Sequence, residues 1–234
     1  FIGSVFSPYY ARARRRGPTP PAAHCAVNAI LYGPVRRWAF SEYGARALRR
    51  QATQLVIGGS TLRWDGGRLH ITLAERCTPL PQALRGEILF EPAALVDCRV
   101  ALDAAGRLCW EPIAPRGRVS LRMEHPHLRW QGDAYLDSNR GARPLEADFR
   151  EWHWSRSHGT EDTRLYYDLH GVDGSRRVHA LRFTAGQHAA VAHAAGHARR
   201  RRHDGGHRDL GGHPVLFAFA DCQRARWHPP HCRA

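Results

Sequence analysis

A two-residue alternation of apolar and polar side chains limits this chain's folding more than any other feature. The stretch RLHITLAE sets Leu69, Ile71 and Leu73 against polar neighbours, and GRVSLRME does the same with Val119, Leu121 and Met123. Successive side chains of a strand point to opposite faces, so such segments bury one face and wet the other. Gly, Pro, Asp and Asn bound these runs, which marks turns between antiparallel strands. RLYYDLHGVDGSRRVHALRF predicts a hairpin with strands around 164–170 and 176–183 and Asp173-Gly174 in its turn. VALDAAGRLCW predicts a second, turning at Ala105-Gly106, and IGGST (57–61) is a turn between strand-like runs. The chain to about residue 185 is therefore expected to be all-β, with a barrel or sandwich as the closure that hides sheet edges.

Helices are expected only in short pieces, SEYGARALRRQA around 41–52 and PLEADFREW around 144–152. ARARRRGPTPP (11–21) reads as a basic loop ended by prolines, and PIAPRG (112–117) as the boundary between two β units. That division gives 1–115, 116–185 and a third segment, 186–234. The third segment carries eight of the sixteen histidines and eight arginines against three aspartates. Apart from PVLFAFA it offers too little apolar surface to offset chain entropy, so poor order is expected there. So abrupt a change of composition is also what translation in a shifted frame of GC-rich DNA would produce. The chain opens inside the apolar segment FIGSVFSPYY without an initiator Met. Further sequence upstream is expected.

The net charge of +14 comes with 35 basic residues, all of them Arg. A complete lack of Lys points to base composition of the coding DNA rather than to phosphate recognition, and no nucleic-acid-binding module is visible, so no nucleic-acid partner is expected. The Arg runs at 12–16 and 199–202 fit a looser attraction to an anionic membrane surface. The six cysteines show no paired spacing, as in a reducing compartment with free thiols. No apolar run has a membrane-spanning length. The expected location is the cytoplasm, with peripheral contact to an anionic membrane surface. Gly-rich phosphate loops, nucleophile elbows and Ser/His/Asp orders are missing from the sequence. Cys222, His228, His231 and Cys232 are zinc-capable, but their spacing matches no structural zinc module, so no metal site is expected.

Trp110, Trp130, Trp152 and Trp154 fall within 45 residues, and WHW sets Trp152 and Trp154 on one face of an extended segment. On the residues alone, packing in a core or barrel mouth is favoured over a binding role for them. Tyr135 and Asp137 of YLDSN likewise share a face. Asp137 is either an acid held against a pocket wall or the first residue of an Asp-Ser-Asn turn, and the residues alone favour the turn.

FIGSVFSPYYARAR, HCAVNAILYGPVRRWAFSE, LRWDGGRLHI, RGEILFEPAAL, ALDAAGRLCWEPIAP and EHPHLRWQGDAYLDSNRGARPLEADFREWHWSR together closely resemble the carotenoid 1,2-hydratases, or hydroxyneurosporene synthases, of purple phototrophic bacteria. The likeness runs from Phe1 to about Phe183. It implies two lipocalin-like antiparallel β-barrel domains, the first truncated at its start and the second partial. It also implies addition of water across the terminal 1,2 double bond of acyclic carotenoids such as neurosporene and lycopene, without a redox or metal cofactor. The family's proposed catalytic aspartate and tyrosine fall on Asp137 and Tyr135, and its active-site tryptophan on Trp110. Two positions before that tryptophan the family has a histidine, whereas this chain has Leu108. The family's aromatic strand upstream of FIGSVFSPYY and its last barrel strands have no counterpart here. A non-catalytic lipocalin-like carrier of an isoprenoid and an inactive truncated remnant are the competing expectations.

Hydrating a trisubstituted alkene requires an acid that is strong yet still protonated. A solvated Asp is only about one part in a thousand protonated at neutral pH, a deficit of roughly 4 kcal/mol. Burial can raise a carboxyl pKa by up to about 3 to 5 units. Asp137 is therefore expected to be a buried general acid, with Tyr135 hydrogen-bonding it or the incoming water. Trp110 would face the cation, with a contact worth about 2 kcal/mol when desolvated. Trp152 and Trp154 would line the substrate channel.

Overall fold

A computed structural model of the chain describes residues 2–3, 8–141, 147–184 and 187–193. The one α-helix among them, α1 (Pro8–Arg16), replaces the expected basic loop over 11–16. Pro8 sits in the first turn, where its missing N–H is no loss. The Ala and Arg residues that follow are strong helix formers, and Arg14, Arg15 and Arg16 lie at the negative end of the helix dipole. The prolines that follow, Pro18, Pro20 and Pro21, fall only after the helix ends.

Everything else of size is antiparallel strand, as the alternation requires. β1 (Ile2–Gly3), β2 (Cys25–Leu31) and β3 (Arg37–Tyr43) pair in chain order. The largest sheet holds β4 (Leu48–Arg50), β5 (Gln54–Ile57), β6 (Ser60–Asp65), β7 (Arg68–Arg76), β8 (Ala83–Pro92), β9 (Val100–Ala101), β10 (Leu108–His125) and β11 (Leu128–Gly141). Its order is β11-β10-β8-β7-β6-β5-β4, with β9 also on β10. β12 (Phe149–His158), β13 (Asp162–Gly171), β14 (Arg176–Thr184) and β15 (Gln187–His193) form a four-stranded meander. Closing a barrel needs a ladder between the first and last strands of a sheet. Among the described residues these sheets stay open, with no closed barrel.

The expected hairpins form, with Gly174 and Gly106 supplying positive φ at their turns (+83° and +65°). The expected helix over 41–52 does not. Gly44 separates the end of β3 from a single 3-10 turn at Ala45–Ala47, and β4 then pairs Leu48 with Ile57. The helix expected over 144–152 is also overturned from Phe149 onward, where β12 begins; residues 142–146 lie outside the described residues. Here Phe149, Trp152 and Trp154 all reach one core, which a strand with a bulge near its start allows. In the segment expected to be poorly ordered, Gln187–His193 pair with β14 as β15, and residues 194–234 lie outside the described residues.

Residues 112–117, expected as the boundary between two β units, are themselves strand. β10 runs through them with register shifts at Pro112/Ala114 and Ala114/Gly117. At these bulges the strand passes from one core to another. The first core gathers Val27, Ile57, Ile71, Leu84, Phe90, Ala114, Val119 and Leu136 from β2, β5, β7, β8, β10 and β11. The second gathers Leu108, Trp110, Tyr135, Phe149, Leu165, Tyr167, Leu169 and Leu181, joining β10 and β11 to the meander. Gly117 lies at the crossing because nothing larger fits: a Cβ there would sit 2.5 Å from the Phe90 ring.

Candidate active site

β11 carries six consecutive buried residues, Ala134 to Asn139. A strand with one wet face would alternate, so this stretch is covered on both sides. Ala134 and Leu136 enter the first core and Tyr135 the second. By the same alternation Asp137 and Asn139 share the Tyr135 face. Asp137 pairs with Pro112 of β10, Ser138 with Glu111 and Asn139 with Trp110. The Asp-Ser-Asn segment is thus mid-strand, and the reading of Asp137 as a turn former falls.

The register sets Trp110 diagonally across from Asp137. Its indole Nε1 donates to Asp137 Oδ2 at 2.8 Å, and the Tyr135 hydroxyl donates to the same oxygen at 3.0 Å. Oδ1 is buried and has no hydrogen-bond partner among the described residues. Trp110 and Tyr135 are 0% exposed and Asp137 is 2% exposed. Burial pushes the Asp137 carboxyl from the ordinary 3.8 up to about 7, against the two hydrogen bonds, which pull it down. Burial, with the neighbouring Asp137 charge, also holds the Tyr135 phenol well above its ordinary value, so Tyr135 stays a donor.

This asymmetry has a chemical consequence. With two donors on Oδ2, the proton of the neutral acid belongs on Oδ1, where no protein group among the described residues accepts it. An acid in this state is about half protonated near neutrality and is free to give its proton to a substrate atom.

Aromatic rings enclose the acid. Trp154 of β12 lies against Tyr135 with ring centroids 5.4 Å apart, and Tyr167 of β13 meets Trp110 edge-on at 5.3 Å. Trp152 packs on the same core from two residues before Trp154. Leu108, where the resembled family has histidine, is buried on the Trp110 side of β10 and leaves an apolar wall there. Trp130 belongs to the other core. The residues singled out in the sequence, Asp137, Tyr135, Trp110, Trp152 and Trp154, thus meet on one core, and two neighbours join them unannounced. Tyr167 is visible in the sequence only as a member of the Thr163, Leu165, Tyr167, Leu169 alternation. Arg156 is hidden among many arginines; its guanidinium lies 5.9 Å from the Tyr135 ring centroid, its Nη1 is buried without a hydrogen-bond partner among the described residues, and burial lowers its pKa.

Cys77, Cys98 and Cys109 are free thiols, while Cys222, His228, His231 and Cys232 lie outside the described residues. One group among the described residues has metal-ligand chemistry: Glu151, His153 and His170. It lies on the face of β12 opposite Trp152 and Trp154.

The family model described as carotenoid hydratase CrtC matches residues 1–205. An acyclic carotenoid 1,2-hydratase of Thiocapsa roseopersicina is 48% identical over 185 residues, covering 79% of this chain and 46% of the relative. That of Rubrivivax gelatinosus is 43% identical, over 78% of this chain and 46% of the relative, and that of Cereibacter sphaeroides 36%, over 86% and 71%. The chain therefore spans about half the length of the first two relatives. No solved structure matches it.

Proposed function

The chain belongs to the carotenoid hydratase family, and on that premise we propose that it adds water across the terminal 1,2 double bond of an acyclic carotenoid, with Asp137 as the proton donor. The observation that carries the reading is the buried Asp137 carboxyl with both donors on Oδ2 and a bare Oδ1. In the first step the π electrons of the double bond take the Oδ1 proton onto C2, leaving a tertiary cation at C1 and a carboxylate whose charge Trp110 Nε1 and the Tyr135 hydroxyl already solvate. Water then adds to C1, and its surplus proton returns to the carboxylate, which restores the acid. The enclosing indoles support the cation, at about 2 kcal/mol for a desolvated cation–π contact. Trp152 and Trp154 form the wall along which the polyene lies. Every proton in this cycle is held by Asp137 or by water.

The substrate is a bilayer solute, so the reading extends to location. α1 presents Arg12, Arg14, Arg15 and Arg16 towards solvent, a charge pattern suited to the anionic face of a cytoplasmic membrane. Among the described residues no helix is long and apolar enough to cross a membrane.

The test is incubation of the full chain with lycopene in detergent, in ordinary and deuterated water. The expected product is heavier by one water, with deuterium from the deuterated medium on C2, beside the carbon that carries the new hydroxyl group. Bound pigment without product would favour the carrier, and neither pigment nor product the remnant.

A further inference from the structure

The outer face of the meander carries a second constellation, unconnected with the acid. We propose that Glu151, His153 and His170 form a binding site for a first-row divalent transition ion of the zinc class, which clamps β12 to β13 behind the tryptophan wall. Glu151 stands opposite His170 in the ladder and His153 opposite Asp168, so the four side chains form a rectangle on one sheet face. The ligand-capable atoms of Glu151, His153 and His170 all lie within 4.8 Å of one another. His153 Nε2 is 3.1 Å from Glu151 Oε1, and the two imidazoles meet at 83° with centroids 6.0 Å apart. Tetrahedral ligands at about 2.1 Å from zinc stand about 3.4 Å from each other, so closure asks for shifts of about an ångström. Glu151 and His153 are exposed and make such shifts by side-chain rotation alone.

The donor set selects the ion. Two imidazoles and a carboxylate suit zinc, nickel, cobalt or copper rather than magnesium or calcium, which prefer all-oxygen shells. Asp168 supplies the outer support that metal-binding histidines commonly have. Its Oδ1 lies 3.4 Å from His170 Nε2, and Arg176 of β14 fixes the carboxylate through bonds of 2.8 and 2.6 Å. Held in this way, Asp168 orients the His170 ring rather than competing for the ion. The fourth coordination position faces water.

The experiment is a calorimetric Zn2+ titration of the untagged full chain and of a His153→Ala/His170→Ala double variant. Eight histidines follow residue 186 and contribute the same background to both proteins. The wild-type chain is expected to take up one equivalent more than the double variant, and only the wild type should gain additional melting temperature from that equivalent. Glu151→Gln, an isosteric change at an exposed position, should weaken the same equivalent without altering the metal-free melting temperature. Asp168→Asn should weaken it about 10- to 100-fold. Equal stoichiometry and affinity in the wild-type and variant chains would overturn the site. None of these readouts depends on hydratase activity.

Discussion

Replacing Asp137 by Asn keeps an oxygen for Trp110 and Tyr135 to donate to and removes the acidic proton, so it separates packing from chemistry. With a carboxyl titrating at about 7, about half of the wild-type sites carry the donor proton at pH 7, roughly a tenth at pH 8 and roughly a hundredth at pH 9. The rate of hydration should therefore fall about tenfold per pH unit above 7. The Asp137→Asn change should lower it by at least the roughly 10²- to 10⁴-fold typical of losing a general acid. Stability also falls with rising pH, over a lower range. The folded-state pKa is raised above the ordinary 3.8, so this group's contribution is intact below 3.8 and is lost as pH rises towards 7 and beyond. About three pKa units correspond to about 4 kcal/mol. Asp103 and Asp168 titrate below their ordinary values in spite of burial, Asp103 because the Leu108 N–H and Arg107 donate to it and Asp168 because Arg176 does, so their support is lost on acidification and the wild-type curve is a sum. The difference between Asp137→Asn and wild type isolates the acid. Measured by urea denaturation from pH 4 to pH 8, it should shift in favour of the variant by about 4 kcal/mol. A difference that stays flat across this range, or near-normal turnover by the variant, would refute the buried-acid reasoning.

Trp110→Phe removes the indole donor to the charged carboxylate, so the pH at which the hydration rate begins to fall should move above 7; a downward move in the pH–rate profile would contradict the hydrogen-bond assignment. Gly117→Ala forces a Cβ to within 2.5 Å of the Phe90 ring and 2.7 Å of the Glu91 carbonyl, and should cost about 1–3 kcal/mol in denaturant melts. Tyr43→Phe takes the donor from Glu75 Oε2, a carboxylate buried in the first core whose other oxygen is held by Ser60; it should destabilise the chain by about 1–3 kcal/mol, measured the same way. Neutralising Arg12, Arg14, Arg15 and Arg16 should abolish co-sedimentation with anionic vesicles at low salt while leaving turnover of detergent-dispersed lycopene unchanged.

Legibility in the sequence follows the range of the forces involved. Alternation is local, so the strands around 69–73, 119–123, 164–170 and 176–183 can be read directly. α1 escapes such a reading because the prolines and glycine around the Arg-rich run suggest a loop, when they only end the helix. PLEADFREW has apolar spacings that a helix accommodates, and only the partners of Phe149, Trp152 and Trp154 across β13 make strand of the chain from Phe149 onward. Asp137 is the sharpest case. Asp, Ser and Asn each favour turns through local side-chain bonds to the backbone, and nothing within a few residues outweighs that preference. The deciding element is β10, whose Trp110 lies 27 positions earlier and whose bulges bring the site face of β11 under the meander. The resemblance points to Asp137 because it has already absorbed such long-range pairing, whereas composition and period cannot. Arg156 has no signal of either kind, and the alternation that shows Tyr167 as buried does not show its contact with Trp110. Their places depend on how β12 and β13 settle over Trp110 and Tyr135, a packing of one sheet on another that leaves no period in the sequence. The buried acid is thus a product of tertiary structure, and its raised pKa follows from a covering sheet contributed by residues 149–184. Loosening that cover, for instance by Leu165→Ala at about 2–5 kcal/mol, should let water reach Asp137 and draw its titration back towards the ordinary range before the rest of the chain unfolds.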